Sequence, residues 1–253
     1  IASAVRPRLL IFAVAGVLAA FALGTVYALL FVRDKHKQSV YIQGIYRSNF
    51  VMIGLPLASA LMEGADMAPV AVLMVAVVPL YNALAVICLE TFSGKKLKPI
   101  RILLDVIENP LIIASLLGIL VAALHITLPK PLAKTVTELG KVGSPLMLFL
   151  LGAFFRFDSL RLHARDLVQV CTMRLVVIPA IFLSVAVAMG FRGVEFAGLI
   201  GVFGSSAAVA SFTMAQHMGG DGELAGDIVI ATSALCSLTL YLWSVLFKSL
   251  GII

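Results

Sequence analysis

The chain has 253 residues, of which 61% are hydrophobic and only 13% charged, with a formal net charge of +6 and a mean hydropathy of +1.09. A soluble globular chain carries roughly 25% charged residues, so the composition excludes that class and points to an all-α integral membrane protein with several spans. The Lys and Arg residues fall between apolar runs, where they set orientation, and so do not read as a nucleic-acid surface. Cys88, Cys171 and Cys236 lie inside apolar runs with no metal-like spacing; they read as small packing residues, with no disulfide expected.

The first residues, Ile-Ala-Ser-Ala-Val-Arg-Pro-Arg, lack the basic start, short apolar run and small-residue cleavage site of a signal peptide. They read as the loop before a span, with further sequence expected upstream. A membrane helix needs about 20 mostly apolar residues. That rule predicts eight spans, at 8–32, 40–62, 67–90, 103–126, 142–156, 167–190, 195–217 and 227–248, the fifth recruiting residues from Leu139 onward. The first part of the fourth contains Asp105 and Glu108 and is expected at the interface or against other helices. Asn109-Pro110 then opens the lipid-deep portion, with Asn as cap and Pro at the first helical position.

The second span is the most informative stretch. Residues 45–64 read IYRSNFVMIGLPLASALMEG, apolar enough for a bilayer yet carrying Arg47, Ser48 and Asn49, then Gly54 and Pro56. Proline removes a backbone donor and crowds the preceding turn, so the helix is expected to break at Gly54-Leu-Pro56. Freed backbone groups at membrane depth are tolerated only where protein or a cavity covers them, and an interrupted span is a pointer to a transporter's binding site.

Positive charge assigns the sides. The loops after spans one, three and five hold Arg33, Lys35, Lys37, Lys95, Lys96, Lys98, Arg101, Arg156, Arg161 and Arg165. The other face holds Arg6, Arg8, Lys130, Lys134, Lys141, Arg192 and Lys248. Ten against seven favours both ends of the chain facing away from the cytoplasm. Under this scheme the acidic loop Gly219-Gly220-Asp221-Gly222-Glu223 is cytoplasmic.

Three motifs, taken together, resemble the auxin efflux carrier family in its bacterial branch. They are Arg47-Ser-Asn-Phe-Val-Met-Ile-Gly-Leu-Pro56, Glu108-Asn-Pro-Leu-Ile-Ile-Ala-Ser-Leu-Leu-Gly118, and Ser211-Phe-Thr-Met-Ala-Gln followed by Gly219-Gly-Asp-Gly-Glu-Leu-Ala-Gly226 and Ile228-Val-Ile-Ala-Thr-Ser-Ala-Leu. The resemblance implies ten membrane helices in two inverted repeats of five, the fourth helix of each repeat broken and the two breaks crossing at mid-membrane. On that plan the chain begins at the third family helix. Residues 1–91 are the last three helices of repeat one, 92–102 a cytoplasmic loop, and 103–253 the five helices of repeat two. The broken helices are spans two and seven. In span seven, at Gly204-Ser205-Ser206, serine stands where the family usually has proline, so a softer break is expected there.

The resemblance implies a permease for a small organic anion, such as an auxin-like aromatic acid or malate and malonate, in the plasma or inner membrane, and is compatible with a homodimer. Candidate substrate-binding residues are Asn49, Gly54, Pro56, Gly204, Ser205, Ser206 and Arg47. The Asn49 amide can serve a carboxylate, and broken-helix N-termini favour an anion; its plainer reading is a helix-packing amide. Arg47 either supplies positive potential or snorkels to headgroups. Snorkelling is the expected role of Arg174, and helix capping that of Asp227. A sodium-coupled symporter of related fold and a ligand sensor that does not transport stay open as alternatives. An intramembrane enzyme is disfavoured, since no nucleophile with a base and no metal cluster can be placed at one depth, and no cofactor is expected.

Overall fold

The computed structural model describes residues 6–92, 110–124, 126, 129–154 and 156–253. The basic loop from residue 93 to 102, with Asp105, Glu108, Asn109 and His125, lies outside the described residues. The described residues are helical, with one isolated antiparallel bridge and no strand. The helices are α1 Pro7–Phe31, α2 Lys35–Tyr46, α3 Leu55–Leu61, α4 Ala68–Phe92, α5 Pro110–Ala123, α6 Lys130–Phe154, α7 Phe157–Leu162, α8 Ala164–Thr172, α9 Ile178–Ala188, α10 Gly193–Gly204, α11 Ala210–Met218 and α12 Gly222–Ser249.

Five helical runs among the described residues are long and apolar enough to cross a membrane: Pro7–Phe31, Ala68–Phe92, Lys130–Ala153, Ala164–Ala188 and Gly222–Ser249. The run Ala164–Ala188 joins α8 to α9 through a wide turn, Met173–Val177, in which the Ile178 amide donates five residues back to the Met173 carbonyl. Such a π-turn makes room for the proline that follows at position 179. Helix α6 starts at Lys130, well before the expected 142, because its exposed amphipathic stretch continues the helix unbroken.

Two half-helices stand at the centre. In α2 every residue from Gln38 to Tyr46 is buried, and in α10 every residue from Phe196 to Gly204. A helix buried all round belongs to the core of a bundle, even where, as in α2, it carries polar side chains such as Gln38 and Gln43. Around α10, Phe203 stacks on Phe182 of α9 at 4.8 Å and meets Phe12 of α1 edge-on at 6.1 Å. The two ends of the bundle are tied separately. Arg8 lies over the Phe191 ring at one end. At the other, Lys37 pairs with Asp166 at 2.8 Å, and Tyr41 donates to the same carboxylate at 2.5 Å.

Both expected breaks exist, but neither has the expected form. The first lies at Arg47–Asn49, not at Gly54-Leu-Pro56. Pro56 sits in the first turn of α3, and the π-turn Phe50–Gly54, closed by the Leu55 amide on the Phe50 carbonyl, absorbs its missing donor. The second break, Ser205–Val209, is the wider of the two rather than a softened kink. Serine permits it because the opened backbones pair with each other. Ser48 and Ala207 form an antiparallel bridge, Asn49 N–H donates to Ser206 O at 2.9 Å, and Ala208 N–H to Arg47 O at 3.2 Å.

Candidate functional site

The crossing of the two broken helices is held by glycine. A Cβ on Gly201 would lie 2.7 Å from the Gly54 Cα, and one on Gly54 equally close to the Gly201 Cα. Backbones approach this closely only where both residues lack a side chain. Gly54 therefore serves the crossing, and the break itself lies five to seven residues before it.

Two faces of the crossing differ in charge. On one face the second halves begin, at Phe50 and Ala210, and their N-terminal ends carry partial positive charge. A cavity of about 220 Å³ opens here, walled by Val51, Met52, Val78, Met147 and Val209 and given polarity by Arg47, Asn49, Tyr81 and Asn82. Arg47 is 3% exposed. Its guanidinium donates to Asn82 Oδ1 at 2.6 Å and to Gln43 Oε1 at 3.3 Å, and touches the Met214 sulfur at 3.0 Å. Among the described residues it has no carboxylate partner; held inside the protein by these contacts, its guanidinium is not at the surface as snorkelling would place it. A cation buried without a counter-charge is costly.

On the other face the first halves end. Arg174, fully buried, donates Nε–H to Ser205 O at 2.8 Å and its Nη groups to the carbonyls of Ile45, Tyr46 and Val202 at 3.2, 3.3 and 3.3 Å. It does not snorkel. The π-turn at Met173–Val177 carries it on a third element, buried between the ends of α2 and α10.

Of the predicted site residues, Arg47 and Asn49 line the 220 Å³ cavity, whereas Gly54, Pro56, Gly204, Ser205 and Ser206 do not. The serines instead satisfy the crossing: Ser205 Oγ meets Ser48 Oγ at 2.7 Å, and Ser206 Oγ accepts from Ser233 Oγ at 3.2 Å. Asn82 was not anticipated. Its only signal in the sequence is an amide three residues after Pro79 within an apolar span.

A second polar group stands nearer one end of α12. Asp227 Oδ2 meets His163 Nδ1 at 2.8 Å, and Oδ1 accepts from Ser159 at 2.8 Å, beside a cavity of about 200 Å³ that Arg156 and Gln216 also line. Asp227 is thus not the cap of α12; Asp221 is, accepting from the Leu224 amide at 3.0 Å. We expect Asp227→Ala to remove the partner of the partly buried His163 ring, while Ser159 keeps its bond to the Arg156 carbonyl, and to cost about 1–3 kcal/mol, read as a lower thermal midpoint in detergent, with Asp227→Asn losing less.

Residues 93–244 match the sequence profile described as membrane transport protein. The chain belongs to this family, the auxin efflux carriers. No curated protein matches the chain significantly. The matched segment contains Arg174 and the second break, while Arg47, Asn49 and the first break lie before it. As a member of this transporter family with several apolar helices, the protein is a multi-pass membrane transport protein.

Proposed function

We propose that the protein is a secondary transporter that carries a small organic anion across the cytoplasmic membrane by alternating access. The observation that carries this reading is Arg47, a buried cation without a carboxylate partner among the described residues, opening into the 220 Å³ cavity at the N-terminal ends of two half-helices. A carboxylate there gains the guanidinium, the Asn49 amide and two helix ends at once. The apolar walls accept the body of a small acid, whether auxin-like or a short dicarboxylate such as malate or malonate. The architecture proposed with it is the inverted repeat: eight spans here, three in 1–91 and five in 103–253, with the two bundles rocking about the crossing.

The test is flux of labelled organic acids in proteoliposomes made with the full-length protein. Saturable carboxylate flux that Asn49→Ala reduces by about tenfold supports the reading. Unchanged flux in Asn49→Ala sinks the site assignment, and saturable binding with no flux points to a ligand sensor.

A further inference from the structure

The half-helix ends facing Arg174 form an oxygen cage of four backbone carbonyls, two from each broken helix: Ile45 and Tyr46, and Val202 and Ser205. In transporters built on discontinuous helices, unwound carbonyls and half-helix C-terminal ends are the groups that coordinate a coupling cation. Each such end carries about half a negative elementary charge, so the two together offer roughly one. A single guanidinium matches that charge. It is attached to neither broken helix but to the π-turn between α8 and α9, so it can hold both ends together. The described residues place no carboxylate against it, and the cage is its whole hydrogen-bond partnership.

We infer that Arg174 is a tethered counter-cation: its guanidinium occupies the position an exchangeable metal cation would take at the crossing, so that anion carriage runs without a coupling metal ion. The inference rests on the transport reading above and extends it. Arg174 touches no part of the cavity at Arg47, so it is a positioning residue, acting by keeping the two first halves in register beneath the substrate.

The experiment compares proteoliposomes in which Na⁺, K⁺ or choline is the only added cation. Wild-type carboxylate flux is expected to be equal in all three. Arg174→Ala is expected to lose flux by about tenfold or more and to regain it with millimolar guanidinium or methylguanidinium, and Arg174→Lys to keep an intermediate rate. Wild-type flux that follows the Na⁺ gradient overturns the inference. So does an Arg174→Ala protein that transports normally in choline, or one that folds and is not rescued. If the alanine variant fails to fold, the wild-type cation exchange still decides. If the wild type transports no acid at all, the transport reading fails, and Arg174 is then judged by thermal stability: guanidinium at millimolar concentration should raise the midpoint of Arg174→Ala and not of the wild type.

Discussion

Replacing Arg47 by Met is expected to abolish carboxylate flux while leaving the folded protein as stable as before or more so. Most substitutions of a buried hydrogen-bonded residue do the opposite, which makes the prediction sharp. Burying an unpaired ion costs several kcal/mol, and Arg47 meets only an amide, a second amide and a thioether. Met keeps much of the side-chain volume and removes the charge. The loss of hydrogen bonds by Asn82 and Gln43 costs about 1–3 kcal/mol, which the relief of the buried charge offsets. Recognition of an anion, by contrast, loses its charged partner, an effect of about 2–5 kcal/mol, or roughly 30-fold to several thousand-fold in affinity. Flux assays and thermal midpoints on the same preparation check both halves. A Met variant that transports at the wild-type rate would remove Arg47 from the site. Arg174→Met should behave in the reverse sense for stability, since four buried carbonyls lose their donor at once.

Substituting Ala at Gly201 or Gly54 is expected to cost about 1–3 kcal/mol or more and to stop transport. The new methyl would lie 2.7 Å from the opposing Cα. The neighbour is backbone and cannot rotate aside, so the two half-helices must separate. Separation breaks the bridge between Ser48 and Ala207 and pulls carbonyls from Arg174. The internal control is Gly140→Ala in α6, where an added Cβ meets nothing within 4 Å. There the change should stabilise by up to about 1 kcal/mol, because alanine is the better helix former. Thermal midpoints in detergent for the three variants check the contrast, and equal midpoints would show that the crossing is looser than its geometry indicates.

The membrane class and the two interrupted segments were legible in the sequence, because each depends on local chemistry. A long apolar run has one low-energy environment, and polar residues beside Gly or Pro inside it have no use in a plain anchor. Two residues that line the cavity at the crossing were legible for the same reason: Arg47 and Asn49 stand out within 45–64. The exact breaks were not. Proline marks a position where a helix can yield, yet whether it yields there depends on what the freed groups find. Here they found partners at Ser206, Ala207 and Ala208, more than 150 positions along the chain from their mates at Arg47, Ser48 and Asn49.

The roles of the ionisable side chains belong to tertiary structure alone. Arg174 and Arg47 are both arginines near apolar runs, and the sequence assigned them by depth. In the fold, one faces the negative ends of two half-helices and the other the positive ends. Asp227 stands near a helix start, which suggested a cap, but its partners are His163 and Ser159 from another helix pair. Composition and hydropathy determine that this chain lives in a bilayer and roughly where it crosses, since transfer into lipid acts on each segment separately. Which charge meets which dipole is a property of segments brought together from distant parts of the chain, and only the packed bundle decides it.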